Sequence, residues 1–204
     1  IIVSKLFFNL STVLFLIFVI WSPFCLAGEI LSCTERYAID NDHTIISWYA
    51  KGLGFIRTSG KFENFDGFIN LNTCNPAASK IYITIETSSI LSGVKKLDKQ
   101  LKGPIFFDIE NYPKVIFEST KIAIQEKNSA NIKGDFTMLG KTREVVLSTR
   151  FNKRAMDPIV NRMRISYSIK TSIQRSLWGM DQWLKVVSDN IDIVIEAEAL
   201  KVID

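Results

Sequence analysis

From about residue 36 onward, apolar side chains recur at every second position, and this period limits the available folds more than any other feature of the chain. Ile46, Trp48 and Ala50 alternate with Ser47, Tyr49 and Lys51, and Ile81, Ile83 and Ile85 alternate with Tyr82, Thr84 and Glu86. Such alternation puts apolar groups on one face of a strand and polar groups on the other. Further runs of the same kind cover residues 59–72, 115–125, 130–138, 144–152, 162–172 and 191–200. Turn chemistry falls between them at Asp66-Gly67, Asn75-Pro76, Lys127-Asn128-Ser129, Gly140 and Asp157-Pro158. About eight strands at this spacing predict an all-β fold, an antiparallel sheet that curls or closes on itself.

One segment departs from the pattern. Val94, Leu97 and Leu101 fall at helical spacing while Lys95, Lys99 and Lys102 share another face beside Lys96, which predicts one short helix stopped by Gly103-Pro104. The four lysines are candidates for contact with an anionic head group or a bilayer surface, although a solvated face is the commoner meaning of such a run. Arg150, Lys153, Arg154, Arg162 and Arg164 form a second basic stretch with the same two meanings.

The first thirty residues follow a different logic. No charged side chain occurs from Leu6 to Gly28, the run follows Lys5, and Pro23 and Cys25-Leu26-Ala27 lie before Gly28. This order predicts a secretory signal peptide over residues 1–27, removed to leave one domain over 28–204. An uncleaved membrane anchor is an alternative, as is a lipid on Cys33. Downstream of residue 27 two cysteines remain, Cys33 and Cys74, an even number that suits an oxidising compartment. A bridge would close a loop of about 40 residues and contribute roughly 3–4 kcal/mol; two unpaired thiols are the alternative.

Several chemistries lack their parts. His43 is the single histidine of the chain, which leaves no base for a serine or cysteine hydrolase if it serves only to brace the turn it stands in. One His and two distant cysteines cannot assemble a metal centre, and there is no glycine-rich phosphate cradle after a strand. A net charge of +4, scattered along the chain, excludes nucleic acid as the main partner. The expectation is a protein without enzymatic activity and without a catalytic cofactor. Nine Phe and three Trp follow residue 27, and a small barrel either packs such groups as core or surrounds one ligand with them. Strands of about ten residues make a tube on the order of 30 Å long, which suits a lipid tail better than a sugar.

Read together, the segments resemble a known family. Tyr37-Ala38-Ile39-Asp40, His43-Thr44, Gly60-Lys61-Phe62 and Phe65-Asp66-Gly67 open the match. Ser88-Ser89-Ile90, Leu97-Asp98, Phe106-Phe107-Asp108, Tyr112-Pro113 and Phe117-Glu118-Ser119-Thr120 continue it, and Gly134-Asp135-Phe136-Thr137, Gly140-Lys141-Thr142 and Trp178-Gly179-Met180 complete it in the same order. The chain is thereby similar to the YceI-like family of polyisoprenoid-binding proteins over about residues 36–200.

The resemblance implies an extended antiparallel eight-stranded lipocalin-like barrel with a hydrophobic tunnel and one short helix. It also implies a periplasmic protein that binds an isoprenoid lipid, either a polyprenyl chain or an isoprenoid quinone, for carriage, storage or buffering. A transient membrane contact goes with that role, and the oligomeric state is open, a homodimer among the options. A different class of function, a small-ligand sensor or interaction module with a filled barrel, would use the same strands. Two positions depart from the family: Gly52 and Gln100 stand where relatives commonly carry histidine. Alternation along the strands then assigns twelve residues to the tunnel wall: Ile46, Trp48, Phe62, Ile69, Leu71, Ile81, Ile83, Ile85, Val115, Phe117, Ile132 and Phe136.

Overall fold

A computed structural model describes residues 33–52 and 56–203. The predicted signal peptide lies outside these residues. The described chain contains eleven strands: β1 (Thr34–Ile39), β2 (Ile45–Gly52), β3 (Ile56–Phe62), β4 (Phe65–Asn72), β5 (Lys80–Glu86), β6 (Ile90–Leu91), β7 (Lys114–Ile124), β8 (Ser129–Met138), β9 (Lys141–Asp157), β10 (Arg162–Gln174) and β11 (Val187–Lys201). A single α-helix, α1 (Lys95–Lys102), lies among them.

Eleven segments make an eight-stranded barrel because three long strands are broken part-way. β1 pairs with β4 and β2 with β3, so 34–52 and 56–72 form one hairpin whose arms are interrupted at 40–44 and at 63–64. β5 and β6 are likewise two halves of one arm, interrupted by the 3-10 turn Thr87–Ser89. The three breaks are neighbours: Asn41 Nδ2 donates to the Glu63 carbonyl, the Phe65 N–H donates to Asn41 Oδ1, and the Glu63 N–H donates to the Ser89 carbonyl. β7 to β11 run unbroken as an antiparallel meander, and β11 closes the ring against β1, with Tyr37 opposite Lys201 and Ile39 opposite Ala199. The predicted eight-stranded antiparallel barrel with one short helix is therefore the observed fold.

The interior face carries two packed clusters. At the α1 end, Trp48, Ile90, Leu101, Phe106, Val115, Met138, Trp178 and Met180 are buried together. At the other end, Tyr37, Ile69, Ile165 and Ala199 are buried. Two inward aromatic rings need glycine across the ladder, because a Cβ at Gly60 would collide with the Trp48 indole and the Leu91 carbonyl, and one at Gly134 with the Phe117 ring and the Glu118 carbonyl. Gly60→Val should therefore cost about 2–3 kcal/mol, the range for forcing bulk into a packed site; an unchanged urea midpoint would contradict this packing.

Outside the barrel, Arg164 gathers three carboxylates: Asp40 Oδ2 at 2.6 Å, Glu198 Oε2 at 2.7 Å and Asp157 Oδ2 at 2.8 Å. Partial burial raises the Asp40 carboxyl, but hydrogen bonds from Arg164 and His43 outweigh it and hold the group below the usual carboxylate range. The main-chain N–H groups of Ile159 and Val160, and then Arg164, hold Asp157 low as well. Groups that titrate lower when folded contribute stability that is complete above the unfolded value and lost as pH falls through the folded one. The melting temperature should drop as pH is lowered below about 4, and Arg164→Gln should flatten that drop. Parallel curves for the two proteins would remove Arg164 from the account.

Candidate functional site

The inward faces of all eight arms enclose one cavity of about 760 Å³ with an overwhelmingly apolar wall. That volume falls within the range of known small-molecule sites. The interior is thus hollow between its two clusters, which the filled-barrel alternative did not require. All twelve residues assigned above to the tunnel wall line this cavity. Cross-strand pairs explain why they come together: Trp48 stands opposite Ile193, Ile83 opposite Phe117, and Phe117 opposite Phe136, each pair on one face.

The twelve are only part of the wall. Val145, Leu147, Thr149 and Phe151 of β9, Tyr167, Ile169, Thr171 and Ile173 of β10, and Ile191, Ile193, Ile195 and Ala197 of β11 line it too. Their alternation is as regular as that of the first strands, so the same period-two signal marks them in the sequence. Leu97 and Leu101 of α1, with Phe106, Phe107 and Trp183, cover one end. The Phe106 and Trp183 rings meet edge to face at 5.7 Å. Among the described residues, Trp48 Nε1 is the one buried side-chain polar atom without a hydrogen bond.

The cavity is asymmetric in its polar groups. At the α1 end the wall includes the Arg175 guanidinium, which is 97% buried and donates to the main-chain carbonyls of Met180, Gln182, Val187 and Ser188. These bonds knit the 3-10 turn Arg175–Trp178 to the start of β11. At the opposite end Arg154 lines the cavity. Its Nη2 reaches both Glu35 oxygens, at 3.0 and 2.8 Å, and its Nε donates to the Tyr37 hydroxyl at 3.2 Å. The Tyr37 hydroxyl donates to Glu35 Oε2 at 2.7 Å, and Lys201 Nζ donates to Glu35 Oε1 at 2.8 Å. Burial pushes the Glu35 carboxyl up, but Lys201, Tyr37 and Arg154 together hold it below the usual range.

The second basic stretch is divided by the structure. In β9, Phe151 pairs with Tyr167 and Lys153 with Ser166, so Asn152 is an extra residue and the register shifts. A bulge of this kind re-aims the side chains beyond it. Arg154 consequently stands opposite the buried Ile165, on the cavity face at the barrel mouth, where its side chain is still 40% exposed; Arg150 and Lys153 are exposed too, and Arg164 belongs to the outer carboxylate cluster.

The remaining candidates are placed as follows. Lys95, Lys96 and Lys99 are exposed and Lys102 half-buried, on α1 beyond the cavity end that Leu97 and Leu101 cover. Asp98 accepts from both the N–H and the hydroxyl of Ser92 at the start of the helix, which holds its carboxyl low. Gly52 ends β2 and Gln100 is half-buried on α1. His43 is exposed at the first break, its Nδ1 2.9 Å from Asp40 Oδ2. The Sγ atoms of Cys33 and Cys74 are bonded, with Cα atoms 5.6 Å apart. That bridge occupies the thiol that the lipid-on-Cys33 alternative needs. No group of three or more His, Cys, Asp or Glu among the described residues is arranged to hold a metal.

Comparison with known proteins gives a consistent picture. A family model described as the YceI-like domain matches residues 37–199. A UPF0312 protein of Pseudomonas putida (strain GB-1) is 27% identical over 175 residues, which cover 86% of this chain and 90% of that protein. The crystal structure of Burkholderia cenocepacia BcnA superposes with a TM-score of 0.71 at 22% identity, covering 78% of this chain and 98% of the other. A polyisoprenoid binding domain from Saccharophagus degradans, implicated in plant cell wall breakdown, superposes with a TM-score of 0.61 at 11% identity, covering 81% and 98%.

Proposed function

The chain belongs to the YceI-like family, and on that premise we propose that it holds an isoprenoid lipid, a polyprenyl chain or the tail of a quinone, inside its barrel. The observation that carries this reading is the continuous apolar cavity of about 760 Å³, to which every arm of the barrel contributes. Removing a prenyl chain from water against such a wall yields about 25 cal/mol per Å² of apolar surface, so affinity grows with the number of units enclosed. The fold shared with a polyisoprenoid binding domain supports the same ligand class. The function is carriage, storage or buffering, and it involves passing contact with the membrane in which such a lipid dissolves. Such a role calls on no catalytic step, and His43 is exposed and paired with Asp40. A periplasmic location is supported by the apolar run after Lys5 and by the Cys33–Cys74 bridge, which an oxidising compartment maintains.

Native mass spectrometry of the secreted protein, followed by organic extraction, tests the reading. A copurifying species of isoprenoid mass is the expected result. A protein that arrives empty and also refuses added polyprenols and quinones would overturn it and favour a module that acts through its loops.

A further inference from the structure

At the end of the cavity away from α1, two polar groups have bonding capacity left over. Arg154 uses Nε and Nη2 on Tyr37 and Glu35, while its Nη1 makes no hydrogen bond among the described residues. Tyr167 lines the cavity two residues along β10 from Ile165, the partner of Arg154, so the two side chains are diagonal neighbours on one face. Among the described residues no hydrogen bond to its hydroxyl is found, and only burial and nearby charges act on it. The local charge is unbalanced as well: Arg154 and Lys201 face one carboxylate, Glu35.

We infer that this pole is a head-group subsite, where Arg154 Nη1 and the Tyr167 hydroxyl receive an anionic oxygen group, a phosphate or a carboxylate, at the end of the enclosed chain. The inference rests on the reading that the cavity holds a prenyl chain, and it adds a direction: head at the Arg154 end, tail toward α1. An anion here completes the charge balance at the mouth of the cavity, where the Arg154 side chain is 40% exposed, while the chain behind it lies against the apolar wall. Burial and the neighbouring Tyr37 push the Tyr167 hydroxyl up to about 12, so it remains a donor throughout the physiological range. The α1 end offers no equivalent charge, because the Arg175 guanidinium is bonded to four main-chain carbonyls and the unbonded Trp48 Nε1–H is a neutral donor.

The test compares geranylgeraniol with geranylgeranyl monophosphate by isothermal titration calorimetry, using wild type, Arg154→Gln, Tyr167→Phe and the quadruple replacement of Lys95, Lys96, Lys99 and Lys102 by Gln. Wild type should bind the phosphate about 10- to 100-fold more tightly than the alcohol, the worth of hydrogen bonds to a charged group. Arg154→Gln should bring the phosphate down to the affinity of the alcohol. Tyr167→Phe, which removes one oxygen and no packing, should lower phosphate affinity about 3- to 10-fold even if the arginine variant fails to fold. The quadruple variant should retain the preference.

Equal affinity of wild type for both probes would overturn the subsite while leaving the lipid-binding reading intact. So would loss of the preference in the quadruple variant with retention in Arg154→Gln, which would move the head group to α1. Inorganic phosphate alone, titrated to millimolar concentration, should not bind measurably; binding as tight as that of the prenyl phosphate would reassign the pole to a free anion. If neither prenyl probe binds wild type, the reading of the cavity fails and the subsite with it.

Discussion

Ile169→Trp should lower the affinity for a long polyprenyl chain about 100-fold or more while a short prenyl alcohol still binds. Ile169 stands opposite Thr149 on one side and Ile195 on the other, and all three line the cavity between Tyr167 and the α1 end. An indole here projects into empty space, so it shortens the tunnel rather than straining a packed core. Each five-carbon unit excluded forfeits roughly 2–3 kcal/mol of apolar burial, and two such units exceed a factor of about 100. Calorimetry with chains of graded length would show affinity that no longer rises beyond a threshold length in the variant. An equal loss for short and long chains, or none for either, would contradict a tunnel filled along its axis.

The second large effect concerns stability. Replacing Cys33 and Cys74 by Ser should cost roughly 3–4 kcal/mol, since the bridge joins positions 41 apart in sequence. For a domain of this size that corresponds to a fall in melting temperature of about 8–15 °C. The bond does more than close a loop. It fastens the residue before β1 to the turn after β4, where the Thr73 N–H and hydroxyl both donate to the Cys33 carbonyl. Differential scanning calorimetry of the double variant, and of wild type with and without reductant, measures the effect. Melting temperatures within about 2 °C of one another would show that the β1–β4 ladder alone suffices.

Legibility in the sequence followed regularity. Where alternation was uninterrupted, as at Ile46, Trp48 and Ala50 or Ile81, Ile83 and Ile85, both the strand and its inward face could be read directly. The breaks could not, because the turn chemistry in 59–72 is Asp66-Gly67, yet those residues lie inside β4, paired with Thr84 and Ile83, and the ladder stops instead at Glu63-Asn64, where neighbouring arms exchange hydrogen bonds. The polar pole was hidden for a related reason. Counting by twos from Phe151 turns Arg154 outward, and only the pairing of β9 with β10 reveals the extra residue, Asn152, that turns it inward. Glu35, Tyr37 and Lys201 were equally silent, since ion pairs across a barrel mouth are made by residues far apart in sequence.

The ring that joins the first arm to the last also fixes a sequence of events. Glu35 and Lys201 are 166 positions apart, so the tunnel has no complete wall until almost the whole chain is available, and every earlier fragment leaves apolar faces open to water. Closure is a contact of high order and is correspondingly slow. The pairing of β1 with β4, by contrast, needs only the first part of the domain, and the Cys33–Cys74 bond can lock it early. The first strand then waits in position, already tied to a neighbour, as the template on which β11 docks last.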